Sequence, residues 1–229
     1  MIELATVLVT GADRGIGAAL VRAYRARGDR AIAACQHDGA ALADAGLEVQ
    51  PGVDVTDLAS LQALGARLAG TRIDILVSNA GAYHADAYDA AGFAAMQRLY
   101  DINALGPLRV VHALEPLLGH GSRIGIITSR VGSLGDNRSG GLVGYRMSKA
   151  AANQMGLCLY HALKPSGIAV MLLHPGQVAT QMTAQLDGAA ELAFITPEAS
   201  AAGLVAQLDR LDLQTPPEFR HADGTLLPW

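Results

Sequence analysis

Thr10-Gly11-Ala12-Asp13-Arg14-Gly15-Ile16-Gly17 follows directly on an apolar run at residues 4–9, and this junction decides the fold. Its glycines are spaced to turn a buried strand into a helix whose N-terminus can hold a pyrophosphate. Gly11 allows the tight turn, Gly15 lets backbone approach phosphate, and Gly17 lets the helix pack closely on the sheet. The spacing is G-x-x-x-G-x-G rather than the G-x-G-x-x-G of the common dinucleotide fingerprint. Alone it is a weak signal, and a glycine-rich turn with no ligand is the alternative.

Outward from this junction, β-like runs alternate with helical stretches. The strand candidates are residues 5–10, 30–35, 47–53, 73–78, 123–129 and 168–174. Each is apolar throughout rather than alternating, as expected when helices cover both faces of a sheet. Helices are expected near 15–27, 57–69, 92–118, 145–164 and 197–209, with Asp57 and Thr196 as N-caps and Pro197 at a first helical position. The alternation predicts parallel strands with right-handed crossovers: an α/β, doubly wound sheet in a single Rossmann-type domain over residues 1–229. Ligands of such sheets sit beyond the carboxyl ends of the strands. That places residues 10–17, Cys35, Asp54, residues 78–81, Ser129 and residues 174–180 along one edge.

Composition narrows the class. The chain has 229 residues, 51% apolar and 17% charged, with a net charge of −4. This suits one domain with a full core and argues against a nucleic-acid binder. No apolar stretch reaches the roughly 18 residues needed to span a bilayer. The N-terminus enters a strand without a basic region or cleavage site, so no signal peptide is expected and the cytoplasm is the expected compartment. Cys35 and Cys158 are too few for a disulfide framework, and neither they nor the seven histidines show metal-ligand spacing, so no metal is expected. Lysine occurs only at Lys149 and Lys164, with arginine supplying every other strong cation. A lysine that survives such a bias is a candidate for work that arginine cannot do.

Tyr145-Arg146-Met147-Ser148-Lys149 opens a long helix, and a spacing of four puts Tyr145 and Lys149 on one face. A lysine cation beside a phenol favours the phenolate, so the pKa of Tyr145 is expected to fall from its usual value near 10. Such a tyrosine can exchange a proton with a carbonyl or alcohol oxygen. A solvated ion-dipole pair is the plain alternative. Ser129 ends an apolar strand at the same edge, where its hydroxyl can polarise a substrate oxygen, or merely cap a loop. Asn103 lies within the long helix before that strand, where a buried amide needs partners.

Taken together, these residues resemble the short-chain dehydrogenase/reductase family over nearly the whole chain. Residues 10–17 look like its T-G-x-x-x-G-x-G motif, Ser78-Asn79-Ala80-Gly81 like N-N-A-G, and Tyr145 to Lys149 like Y-x-x-x-K. Asn103, Ser129 and His174-Pro175-Gly176 with Thr180 fall where its remaining motifs are expected. The resemblance implies Tyr145 as acid/base, Lys149 on the ribose hydroxyls, Ser129 orienting substrate and Asn103 holding a relay water. It further implies cofactor contacts at Gly11, Asp13, Arg14, Gly15, Ile16, Gly17, Cys35, Gln36, Asp54, Val55, Asn79, Ala80, Gly81, Tyr145, Lys149, Pro175, Gly176, Val178 and Thr180. Ser129-Arg130-Val131-Gly132-Ser133, Asp136-Asn137, Gly140-Gly141 and the terminal Leu227-Pro228-Trp229 are similar to the C-factor/sniffer branch of carbonyl reductases. That branch implies reduction of a ketone, aldehyde or quinone, with a nucleotide-binding signalling protein as the alternative. Homodimers or homotetramers joined through the helices at 92–118 and 145–164 are also implied, with neither nucleic acid nor membrane as partner.

Three departures bear on the site. Ser129 lies sixteen residues before Tyr145, a longer interval than the family's, with Ser133 as competitor at twelve. Ser78 replaces the first asparagine of N-N-A-G. Cys35, followed by Gln36 and His37, stands where an acidic residue would bind a ribose 2′-hydroxyl. With no carboxylate there, and with Arg14 able to pair a 2′-phosphate, NADP(H) is expected over NAD(H). Asp54 and Val55 are expected beside the adenine, or as an ordinary Asx-turn. Residues 181–196, with Met182, Leu186, Leu192 and Phe194, are expected to cover an apolar substrate or to close the core. Tyr83 and His84 are a half-exposed loop pair or part of that pocket.

Overall fold

The computed structural model describes residues 4–43, 46–84, 92–185 and 193–229. Seven strands form one parallel sheet: β1 (Thr6–Thr10), β2 (Arg30–Ala34), β3 (Glu48–Gln50), β4 (Ile75–Ser78), β5 (Arg123–Ile127), β6 (Ala169–His174) and β7 (Phe219–His221). Their order is β3-β2-β1-β4-β5-β6-β7. The chain therefore winds outward from β1 in one direction and, from β4, in the other. The reversal leaves a crevice at the carboxyl ends of β1 and β4, where doubly wound sheets bind ligands.

Successive strand residues point to opposite faces, and here both faces are covered. Val7 and Val9 pack with Leu20, Tyr24, Leu204 and Leu208 of helices α1 (Gly15–Ala26) and α7 (Pro197–Arg210). Leu8 packs on the other side with Leu61, Leu64, Val110, Leu114 and Tyr160 of α3 (Leu58–Arg67), α5 (Gly106–Leu114) and α6 (Val143–Leu163). This two-sided burial is why the strands read as unbroken apolar runs. Asp57 caps α3 by accepting from the Ala59 N–H at 2.9 Å, Thr196 caps α7 through the Ala199 N–H at 3.1 Å, and Pro197 opens α7.

Several elements differ from expectation. The candidate strand at 47–53 pairs only over β3, because the chain turns at Gly52 and Val53 N–H bonds instead to the Cys35 carbonyl at 2.9 Å. A short helix, α2 (Ala40–Ala43), follows β2. The long helix at 92–118 is two helices, α4 (Phe93–Tyr100) and α5, joined by a π-helical turn at Asp101–Leu105. Strand β7 was not expected at all. It pairs with β6, after which the chain doubles back so that Leu227 N–H reaches the Phe219 carbonyl at 2.8 Å and the Trp229 ring packs 6.2 Å from that of Phe219.

Candidate active site

The glycine turn between β1 and α1 is shaped as its spacing predicts. Gly11 and Gly15 adopt left-handed φ of 62° and 55°, which side-chain-bearing residues rarely tolerate. Gly17 serves packing instead: a Cβ there would stand 2.2 Å from the Gly11 carbonyl oxygen and 2.6 Å from Asn79 Nδ2. Asn79 Nδ2 donates to the Thr10 and Gly11 carbonyls at 3.0 and 3.1 Å. Thr10 Oγ1 in turn accepts from the Asn79 and Ala80 N–H groups, fixing residues 79–81 against the turn. Thr10 escaped the sequence reading as a site residue, although it begins the motif. Arg14 is extended and exposed just ahead of α1, and Ile16 is half-buried beside it.

On the β2 side of the crevice, Cys35 is fully buried, and burial with the charges of Asp13 and Asp38 pushes its thiol up to about 11. Asp13 accepts from the backbone N–H groups of Gln36 at 3.0 Å and His37 at 2.9 Å. Asp54 accepts from the Thr56 N–H and hydroxyl at 2.8 and 2.7 Å, an Asx-turn, and from Gln36 Nε2 at 3.4 Å. These bonds hold its carboxyl below the usual range. Val55 is buried against Gly106.

Beyond β4 and β5 the polar side chains converge. Tyr145 is half-buried at the start of α6, its hydroxyl near enough to that of Ser129 to feel it and its ring edge-on to that of Tyr83, with centroids 5.3 Å apart. Lys149 Nζ lies 5.8 Å from the centre of the Tyr145 ring and donates to the Ile127 carbonyl at 3.3 Å. The expected fall in the pKa of Tyr145 does not occur. Burial pushes it up to about 12, against the pull of the Ser129 hydroxyl, and Tyr83 adds to the rise. Burial likewise lowers Lys149 to about 8. Both residues are thus biased toward their uncharged forms, because desolvation outweighs the spacing from which the opposite shift was expected.

Asn103 occupies the π-helical turn and meets the demand that burial places on an amide. Its Oδ1 accepts from the Ala82 N–H at 2.8 Å, while Nδ2 donates to the Ala82 carbonyl at 2.9 Å and to Ser148 Oγ at 3.0 Å. Ser148 was unremarked in the sequence, since only the fold brings it to Asn103. The geometry also separates the two candidate serines. Ser133 Oγ is spent on the Trp229 carbonyl at 3.2 Å and the Asp136 N–H at 3.1 Å, whereas Ser129 reaches Tyr145. The Trp229 carbonyl also accepts from Gly135 N–H at 2.8 Å. Three consecutive left-handed residues, Gly140, Gly141 and Leu142, lead into α6, and Arg146 clamps them by donating to both glycine carbonyls at 3.1 and 3.0 Å.

The loop after β6 closes the crevice. Ser200 Oγ donates to the Pro175 carbonyl at 2.7 Å, Gly176 has a φ of 88°, and Val178 forms a bridge with Ile195. The Thr180 methyl stands 3.4 Å from where a Cβ on Gly15 would be, so this loop meets the glycine turn. Met182 and Phe194 are half-buried, while Leu186, Leu192 and the rest of 186–192 lie outside the described residues. Among the described residues no helix is long and apolar enough to cross a membrane.

A family model described as short chain dehydrogenase matches residues 5–190. A 1-hydroxy-2-glutathionyl-2-methyl-3-butene dehydrogenase of Rhodococcus sp. (strain AD45) is 49% identical over 228 residues, 99% of this chain and 100% of that protein. The C-signal of Myxococcus xanthus is 39% identical over 162 residues, 69% of this chain and 93% of its own. Among solved structures, an NADPH-bound carbonyl reductase from chicken fatty liver superposes with a TM-score of 0.86 at 29% identity, covering 100% of both chains.

Proposed function

The chain belongs to the short-chain dehydrogenase/reductase family of oxidoreductases, and from that premise we propose that it interconverts a carbonyl (ketone, aldehyde or quinone) and its alcohol, with Tyr145 as the acid/base. The observation that carries this reading is the convergence of Tyr145, Ser129, Lys149 and Asn103 at the carboxyl edge of the sheet. The residues fit a nicotinamide dinucleotide: two left-handed glycines open the turn, and a Cβ on Gly81 would stand 3.5 Å from Lys149 Nζ, filling space beside that lysine. When bound, the dinucleotide supplies or accepts the hydride.

Gly11, Gly15, Ile16 and Gly17 present backbone to its phosphates, with Asp54 and Val55 near the adenine. Asn79, Ala80 and Gly81 line its path, and Pro175, Gly176, Val178 and Thr180 border the nicotinamide end. Ser129 holds the substrate oxygen by hydrogen bond, and Tyr145 donates its proton to that oxygen in reduction or takes it back in oxidation. Lys149 holds ribose hydroxyls and favours the anionic phenol as the proton leaves. Asn103 fixes the Ala82 backbone and, through Ser148, the first turn of α6, and its place in a π turn suits the relay-water role. Exposed Phe93, Tyr100, Leu108 and Met147 on α4, α5 and α6 favour a homodimer or homotetramer joined through those helices.

The likeness to the Rhodococcus protein favours the oxidative direction on a hydroxylated thioether conjugate. The likeness to C-signal supports a second reading, a dinucleotide-binding regulator with little turnover. Incubating the purified protein with NADH or NADPH and a panel of quinones, diketones, aldehydes and glutathionyl alcohols separates them. Substrate-dependent change in the reduced cofactor supports the enzyme, and binding without turnover across the panel supports the regulator. Ser129→Ala is expected to lower kcat/KM by about 10²-fold, the scale for losing one oxyanion donor. Ser133→Ala should change it by less than about threefold, since that hydroxyl serves a loop. Equal losses in the two variants would remove Ser129 from its role.

The choice of dinucleotide turns on Asp13. The expectation of NADP(H), which the NADPH-bound chicken enzyme supports, assumed that no carboxylate stands at the end of β2.

A further inference from the structure

We propose that Asp13, reaching across from the glycine turn, acts as the acidic residue that β2 lacks and selects NAD(H) over NADP(H). The proposal rests on the reading of the protein as a nicotinamide-dinucleotide enzyme and deepens it.

In doubly wound dinucleotide folds, an acid at the end of the second strand accepts from the ribose 2′-hydroxyl and opposes a 2′-phosphate. Here that strand ends at Ala34, and the Cys35 side chain turns inward, its sulfur 3.1 Å from where a Cβ on Gly39 would lie. Gln36 leans toward Asp54, with its Nε2 3.4 Å from the carboxylate. By sequence alone the position is therefore without an anion.

The fold supplies one. Asp13 Oδ2 and Oδ1 accept from the N–H groups of Gln36 and His37, the two residues that carry the chain away from β2. Backbone N–H groups are what an incoming phosphate needs, and both are already satisfied by an anion. A carboxylate offers about four acceptor positions, of which these bonds use two. The remainder can accept from a ribose hydroxyl, which carries a proton. A phosphate dianion carries none to give and would meet like charge. Asp38 adds a second negative charge close enough to act, with Asp13, on Cys35. Against these stands Arg14, whose exposed side chain forms no ion pair among the described residues. Arg14 offers a 2′-phosphate one cation, next in sequence to the Asp13 charge. The sequence places both Asp13 and Arg14 among the cofactor contacts, but the NADP(H) expectation weighs only the arginine.

The test is the dissociation constants of NADH and NADPH, titrated by cofactor fluorescence, for the wild type and Asp13→Asn, with thermal melts to establish that the variant is folded. The wild type is expected to bind NADH about tenfold more tightly than NADPH or better. Asp13→Asn keeps the shape and one acceptor, so the ratio should move at least about tenfold toward NADPH, which corresponds to 1.4 kcal/mol. Should that variant not fold, the wild type alone still decides. Salt screens the repulsion, so NADPH affinity should gain on NADH affinity as ionic strength rises. Wild-type preference for NADPH overturns the proposal alone, as does a ratio that moves less than threefold in folded Asp13→Asn or a salt-independent ratio. If neither dinucleotide binds, the oxidoreductase reading falls and the proposal falls with it.

Discussion

Tyr145→Phe is expected to lower kcat/KM for carbonyl reduction by about 10³-fold while leaving the fold and dinucleotide affinity nearly unchanged. The phenylalanine ring keeps the edge-on contact with Tyr83, where the centroids lie 5.3 Å apart, so little packing is lost. Ser129 Oγ retains the Val131 N–H at 3.4 Å as a partner, so its oxygen is not abandoned. What disappears is the phenolic proton beside Ser129. In the structure this phenol is pushed up to about 12, so it holds its proton at neutral pH and is ready to donate it. The oxidative direction needs the opposite form and should therefore quicken with rising pH. Steady-state kinetics in both directions, with melts and cofactor titrations as controls, check the prediction. A loss of less than tenfold would end the case for Tyr145 as the acid.

The second large effect is structural. Gly17→Ala should destabilise the protein by about 3 kcal/mol, at the upper end for overpacking, and weaken dinucleotide binding at least tenfold. The added carbon would stand 2.2 Å from the Gly11 carbonyl oxygen, 2.6 Å from Asn79 Nδ2 and 2.9 Å from Ala12 Cα. Two of the three are main-chain atoms and the third is tied down by two hydrogen bonds, so none can swing aside. Helix α1 must move away from the turn, taking its N-terminal N–H groups with it. Gly15→Ala makes the useful contrast. Its new methyl meets Thr180, 3.4 Å from the methyl and 3.8 Å from Cβ, leaving a φ of 55° as the main cost, about 1–2 kcal/mol. Melting both variants and titrating them with NADH compares the two. Equal stabilities of Gly17→Ala and wild type would refute the packing role.

Where the sequence reading succeeded and failed follows from what a linear pattern records. Strands β1, β2, β4, β5 and β6 were legible because covering both faces of a sheet demands an unbroken apolar run. Strand β7 was not, because Phe219-Arg220-His221 is an edge with one neighbour, and only Phe219 of the three is fully buried. Tyr145 and Lys149 could be placed on one helix face from their spacing. The direction of their pKa shifts could not, because a spacing reveals neighbours and not the depth of burial. Asn103 was found as a buried amide, but the extra residue in its turn leaves no compositional trace. The bonds of Asp13 span 23 and 24 residues and exist only once β1 and β2 lie side by side.

The doubling back after β7 has a practical consequence. Residues 133–135, which continue from Ser129, are held by the main-chain oxygen of Trp229. Residues 227–229 therefore brace the loop that follows Ser129, although they lie almost a hundred positions downstream. Substitutions that displace the Trp229 main chain are expected to shift that loop, and rates at the proposed site would register the change.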